Sequence, residues 1–320
     1  MNKSIEFDCF YQVKKGILSK LDILSNNELA DNKSKLCLFS EIELNQQQID
    51  FEQLVFSFDR ELTFCLENGQ TNFHWSIYAD YSVLIELKQV LNHSELLDKF
   101  DYLMWPEMMI STPKLMLFDM DSTFIQIEVI DELAKCHQVG ERVSLVTESA
   151  MRGELDFAQS LISRVACLKG LSESAIESIA NNLPLSIGVT QLVDAGKTNQ
   201  CFTAIVSGGF TPFVEKLKKE LQLFEVKANH LELKNAKLTG QVIGEIVDAE
   251  AKAVFLRELC EQLDISVEQV IAIGDGANDL LMMQAAGFNL AYYAKPKVQQ
   301  QANGRMNQSH LNRLIDLFGW

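Results

Sequence analysis

Three short apolar runs each break off into a knot of acidic, glycine and hydroxyl residues, and this recurrence constrains the fold most strongly. Residues 115–118 lead into Asp119-Met120-Asp121-Ser122-Thr123, residues 201–206 into Ser207-Gly208-Gly209, and residues 270–273 into Gly274-Asp275-Gly276-Ala277-Asn278-Asp279. A short apolar run bounded by turn residues reads as a strand buried on both faces, the kind that parallel sheets contain. Residues 288–292 form a shorter fourth run. Helical patterns separate them, so the chain from Lys114 onward predicts an α/β fold, a doubly wound parallel sheet. Ligands of such sheets sit outside the carboxyl ends of the strands, and the crossover topology brings those ends together.

Asp119 and Asp121 stand two positions apart, so on a regular strand both carboxylates point the same way. Paired carboxylates repel unless a cation or a proton separates them. Ligation by a few oxygens suits Mg²⁺, which is commonly shared with a substrate phosphate. The same residues also fit an Asp-x-Asp-Ser turn that merely caps the next helix. Ser207-Gly208-Gly209 precedes Thr211-Pro212, read as N-cap and first helical position. A glycine-rich turn there offers backbone N–H groups to a phosphate, or is an ordinary strand-to-helix turn.

Composition narrows the partners. The net charge of −16 argues against nucleic acid and anionic membranes. No run nears ~18 apolar residues, and the N-terminus lacks an apolar signal region. The seven cysteines form no Cys-x-x-Cys pair, so neither a disulfide framework nor a zinc site is suggested. A reducing cytoplasm fits best. The sequence is silent on oligomeric state.

Residues 1–105 read as a small α+β domain, with strands at 36–39 and 73–78, a turn at Asn68-Gly69 and a helix over 81–91. No clustered His, Cys or carboxylate set is apparent there, and His74 and His93 read as isolated structural or surface residues. Residues 106–113 read as a linker. Between the first and second core strands, residues 130–184 read as helical, with one helix over 141–151. Another is started by Asp156 in a capping box with Gln159. Residues 230–247 suggest a hairpin around Asn235, and residues 248–263 a helix.

The Asp119-Met120-Asp121-Ser122-Thr123 stretch resembles the D-x-D-S-T signature of haloacid dehalogenase-type phosphatases, the phosphoserine phosphatase branch in particular. Gly274–Asp279 matches that family's G-D-G-x-N-D motif in full, and Ala150-Met151-Arg152-Gly153-Glu154-Leu155-Asp156-Phe157 points to the same branch. The resemblance covers about residues 115–297. It implies a Rossmann-like core with an inserted helical cap at about 130–184. It also implies a Mg²⁺-dependent hydrolysis of phosphoserine, the last step of serine biosynthesis. Some members carry an N-terminal appendage of this size, in some cases regulatory; nothing here identifies its ligand. By the same resemblance Asp119 is the nucleophile, Asp121 the proton donor and acceptor, and Asp119, Asp121 and Asp275 the metal ligands. Ser207, Gly208, Lys252 and Asn278 contact the phosphate side of the substrate, and Asp279 supports the metal shell. Glu128 and Arg164 take the ammonium and carboxylate of phosphoserine, while Met151 and Phe157 shield the site. Asp248 and Glu250 are expected to keep Lys252 charged. The one departure is Ser186-Ile187-Gly188, where M-P-G is commoner. The alternatives are a related phosphatase or phosphotransferase using another small phosphomonoester, or a phospho-accepting signalling domain.

Overall fold

A computed structural model describes residues 9–14, 17–21, 34–40, 44–68, 73–105 and 113–320. The expected linker, save Pro113, and Gly69 of the expected turn lie outside those residues.

The N-terminal half supplies β1 (Phe10–Lys14), β2 (Ile17–Lys20), β3 (Ser34–Phe39), α1 (Leu44–Ser57), β4 (Leu62–Asn68), β5 (Phe73–Ala79), α2 (Tyr81–Asn92) and β6 (Asp101–Trp105). All its described strand pairings are antiparallel. One face packs on the two helices, around a buried stack of Phe51 on Trp75 with ring centroids 3.9 Å apart. The other face contradicts the expectation of isolated polar residues. Pairing of β3, β4 and β5 brings Lys35, Cys37, Glu67 and His74 together although they are distant in sequence. His74 Nε2 lies 3.3 Å from Glu67 Oε2, and Lys35 Nζ 3.4 Å from Glu67 Oε1. His93, by contrast, caps the end of α2, where its Nδ1 lies 2.7 Å from the carbonyl of Gln89 one turn earlier.

The second half begins with β7 (Leu115–Phe118). Four helices then intervene: α3 (Val129–Cys136), α4 (Gly140–Met151), α5 (Phe157–Cys167) and α6 (Glu173–Ala180). There follow α7 (Val189–Thr198), β8 (Phe202–Phe210), α8 (Thr211–Leu221), the hairpin β9 (Glu225–Lys234) and β10 (Lys237–Ile243), and α9 (Ala249–Leu263). The chain ends with β11 (Val270–Gly274), α10 (Leu280–Ala285), β12 (Phe288–Tyr292), α11 (Pro296–Gln301), β13 (Gly304–Met306) and α12 (Arg313–Phe318). Strands β9, β8, β7, β11, β12 and β13 are adjacent in that order and parallel. Both faces are covered, as their apolar runs require. Met116, Phe118 and Ile273 pack toward the inserted helices, and Leu115, Leu117 and Ala272 toward α9 and α10. β13 pairs antiparallel with β6, so the thirteen strands among the described residues form one sheet. Among the described residues no helix is long and apolar enough to cross a membrane.

Local signals explain several boundaries. Asp156 caps α5 as expected, accepting from Gln159 N at 2.8 Å while its own N–H donates to Gln159 Oε1 at 3.1 Å. The hairpin turns at Asn235 and Ala236, both with positive φ. Thr211 departs from expectation. β8 runs through Phe210, which takes the N-cap position, and the Thr211 hydroxyl turns instead to the Asn229 carbonyl at 3.0 Å.

The Ser186-Ile187-Gly188 loop is held by the Ser186 hydroxyl, which donates to the Thr123 carbonyl at 2.6 Å. Gly188 has φ +84°, and a Cβ there would lie 2.4 Å from the Asn312 nitrogen. Gly188→Ala is therefore expected to destabilise the protein by more than about 1 kcal/mol. A thermal melt should show the midpoint falling by at least about 2–4 °C; an unchanged midpoint would mean that the loop yields freely.

Candidate active site

The carboxyl ends of β7, β8 and β11 meet beneath the inserted helices around a cavity of about 680 Å³. Asp119 continues the β7 ladder, its N–H donating to the Ile273 carbonyl at 2.9 Å. The chain then makes one wide turn over residues 120–124, with Ser122 at φ +56°. Asn and Asp enter that left-handed region more readily than Ser, so the turn is held by its surroundings. Ser122 Oγ donates to Glu128 Oε1 at 2.9 Å, and Thr123 Oγ1 to Asp275 Oδ1 at 3.4 Å. Asp121 turns back to accept from the Val129 N–H at 2.9 Å. A Cβ on Gly209 would come within 2.7 Å of Asp121 Oδ2, so the close approach of β8 to this carboxylate needs glycine.

Lys252 does not sit as expected among Asp248 and Glu250. It is fully buried, and its Nζ donates at 2.6 Å to Asp119 Oδ1 and at 2.6 Å to Asp279 Oδ1. Asp248 instead caps α9, accepting from the Ala251 N–H at 2.9 Å. A buried ammonium needs such direct partners, because charge several ångströms away does not replace its lost water. Asp279 Oδ2 accepts the N–H groups of Asp275 and Gly276 at 3.2 and 2.9 Å. Both its oxygens are thus engaged.

One oxygen each of Asp119, Asp275 and Asp279 lies within 4.8 Å of the others. The negative charge exceeds what Lys252 can offset. Burial, and then the charge of Asp279, pushes Asp119 up to about 8. Burial, then Asp279 and Glu128, lifts Asp275 to about 6. Asp121 is raised well above the usual carboxylate range by burial, then by Glu128 and Asp119. An all-oxygen donor set with surplus negative charge fits a hard divalent cation. Asp119 and Asp275 each retain an oxygen without a donor among the described residues, whereas the Asp121 carboxylate lies outside this cluster.

Of the residues singled out in the sequence, Asp119, Asp121, Glu128, Met151, Phe157, Arg164, Gly208, Asp275 and Asn278 all line the cavity. Ser207, Lys252 and Asp279 lie fully buried beneath it, with Ser207 Oγ accepting from the Gly209 N–H at 2.8 Å. Phe157, Leu161 and Arg164 share one face of α5 and point inward. Arg164 makes no ion pair among the described residues; its Nε reaches only the Ser160 carbonyl at 3.4 Å. Met151 lines the cavity and is itself 83% exposed. Sequence reasoning took Gly209 only as part of a glycine-rich turn and missed Lys295. Lys295 lines the cavity and its N–H donates to the Asp275 carbonyl at 3.0 Å. A basic residue three positions past an apolar strand carried that signal only weakly.

The family model of haloacid dehalogenase-like hydrolases matches residues 113–287. Phosphoserine phosphatase of Haemophilus influenzae is 50% identical over 208 residues, 65% of this chain and 66% of that one. The match therefore spans just under two thirds of that relative's length. Phosphoserine phosphatase of Idiomarina loihiensis is 45% identical over 205 residues, 64% of this chain and 92% of that one. The unliganded crystal structure of a probable phosphoserine phosphatase from Vibrio cholerae superposes with a TM-score of 0.73 at 36% identity, covering 91% of this chain and 87% of that one.

Proposed function

The chain belongs to the haloacid dehalogenase-like hydrolases, and from that premise we propose that it is a cytoplasmic phosphoserine phosphatase, releasing serine and phosphate through an aspartyl-phosphate. One observation carries the reading: an acidic pair, buried Asp119 and half-buried Asp121, faces across one cavity a glutamate and an arginine that makes no ion pair among the described residues. Phosphoserine presents a phosphate, an ammonium and a carboxylate, and these groups answer all three.

Lys252 holds Asp119 Oδ1, which leaves the other oxygen to attack phosphorus. The phosphorus–oxygen bond to serine breaks as Asp121 delivers its proton to the leaving oxygen. Burial and the nearby charges of Glu128 and Asp119 raise its pKa, which favours the protonated form that a general acid needs. Water then attacks the phosphorus of aspartyl-phosphate, its proton returning to Asp121 and the carboxylate of Asp119 being restored. Gly208 and Gly209 line the cavity with backbone where the phosphoryl oxygens gather, and Ser207 and Asn278 flank them. Mg²⁺, held by Asp119, Asp275 and the main-chain carbonyl of Asp121, would neutralise charge on the phosphoryl group. Asp279 orients this set through Lys252 and the amides of residues 275 and 276.

Release of inorganic phosphate from phosphoserine, against a panel of small phosphomonoesters, tests the activity directly. Arg164→Ala tests the substrate. A bidentate guanidinium reading a carboxylate in a closed site is worth about 2–5 kcal/mol. Its removal should lower kcat/KM roughly 30- to several-thousand-fold for phosphoserine at about 1.36 kcal/mol per decade. Phosphoethanolamine lacks the carboxylate and keeps the ammonium for Glu128, so its hydrolysis should fall far less. An unchanged ratio between the two substrates in a folded variant would remove Arg164 from recognition.

A further inference from the structure

The amide of Asn229 joins the two segments that build the phosphate side of the cavity. β8 and β9 pair in parallel as far as Val206 with Lys227, and the register resumes at Phe210 with Asn229. Ser207, Gly208 and Gly209 therefore stand opposite the single residue Ala228. Such a bulge takes backbone groups out of the ladder, and a buried carbonyl left without a donor is costly. Asn229 closes that deficit. Its side chain is fully buried, and Nδ2 donates to the Gly208 carbonyl at 2.8 Å and the Gly209 carbonyl at 3.3 Å. Its Oδ1 accepts the Val247 N–H at 2.8 Å, one residue before the cap of α9. Two acceptors face the nitrogen and one donor faces the oxygen, so the neighbours fix the orientation of the amide.

We propose that Asn229 is a positioning residue for phosphoryl transfer, an inference that rests on reading the cavity as a phosphatase site. Asn229 does not line the cavity. It ties down the carbonyls of Gly208 and Gly209 while Ser207 Oγ holds the Gly209 N–H, and together these bonds fix the course of the bulge along the cavity wall. With its other end it sets the start of α9, and thereby Lys252 and the orientation of Asp119. One planar group thus registers the oxygen donors against the nucleophile. A purely structural amide would stabilise the fold without affecting that alignment.

The experiment compares Asn229→Ala and Asn229→Asp with Leu84→Ala, a buried change in α2 of the N-terminal half that serves as a destabilised control. The readouts are the thermal midpoint, kcat and KM for phosphoserine, and the inhibition constant of orthovanadate, a mimic of the pentacoordinate phosphoryl group. Misalignment by about 1 Å costs on the order of 10²-fold in rate. Asn229→Ala should lose about that in kcat with KM little changed, and vanadate should weaken in parallel. Asn229→Asp keeps the acceptor for Val247 but offers no N–H to the two carbonyls, so it should lose at least as much. Leu84→Ala should lower the midpoint and leave kcat and vanadate affinity alone. If Asn229→Ala is insoluble, Asn229→Ser replaces it in the same comparison. A folded variant whose kcat and vanadate affinity change by less than about twofold overturns the inference. A wild-type protein that releases no phosphate from phosphoserine overturns the function proposed above instead, and vanadate affinity still decides the role of Asn229.

Discussion

Replacing Asp119 with asparagine is expected to abolish turnover, by a factor on the order of 10⁶, the scale on which another hydrolase fails when its nucleophile is removed. The amide has nearly the same shape but no charge to attack phosphorus. The fold should survive, and stability offers a second readout. In the folded protein Asp119 is raised from 3.8 to about 8, first by burial and then by Asp279. A carboxylate whose pKa rises on folding opposes folding wherever the unfolded chain would ionise it, that is, above about pH 4. Asparagine removes that penalty, so in the absence of divalent cations the variant should melt at the same temperature as wild type or higher. Active sites commonly hold such strain. Added Mg²⁺ should stabilise the wild type through binding to the folded state, and the variant less. Substantial metal-dependent turnover by the purified variant would remove Asp119 from the role of nucleophile.

Asp121→Asn should cost a factor of about 10² to 10⁴ on phosphoserine, the range of general acid–base catalysis. Serine leaves as an alkoxide unless protonated, whereas a nitrophenolate leaves without help. An aryl phosphate should therefore lose much less rate in the same variant. The pH profile adds a sign. Burial and the charges of Glu128 and Asp119 raise Asp121, so the protonated acid is favoured and is lost as the pH rises. The alkaline fall in rate on phosphoserine should flatten in the variant. Asparagine is nearly isosteric, so the tight approach of Gly209 to this side chain is preserved and a steric explanation is removed. Equal losses on the two substrates would show that Asp121 does not protonate the leaving group.

What could be read from the sequence was local. Apolar runs ending at Asp119, Ser207 and Asp275 are strands that deliver those residues to one place, because the pattern of a parallel strand and its terminal turn occupies a dozen consecutive positions. The face shared by Phe157, Leu161 and Arg164 follows from helical spacing alone. What escaped depends on pairing between distant segments. Lys252 looked like a first-turn lysine beside two acidic neighbours, but its real partners are 133 and 27 positions away. The Lys35, Cys37, Glu67 and His74 group exists only once β3, β4 and β5 are in register. Asn229 gives no signal on its own strand, since its task is set by a bulge in the next one. Thr211 failed for a different reason: a strand that runs through Phe210, beyond its apolar pattern of residues 201–206, displaced the helix cap.

The antiparallel pairing of β6 with β13 has a consequence for how this chain meets other chains. β13 is only three residues long, and without β6 its outer row of N–H and C=O groups would be an open sheet margin, a template on which another polypeptide could dock. The N-terminal half closes that margin and anchors itself there. The Asp101 carboxylate accepts the N–H groups of Asn307, Gln308 and Ser309 at 2.7, 3.1 and 2.7 Å, and Arg305 donates to the Leu97 carbonyl. Among the described residues the sheet order on this side ends instead at β2, far from the catalytic strands. Covering the margin of the catalytic sheet in this way takes only the pairing of β6 and calls for no ligand.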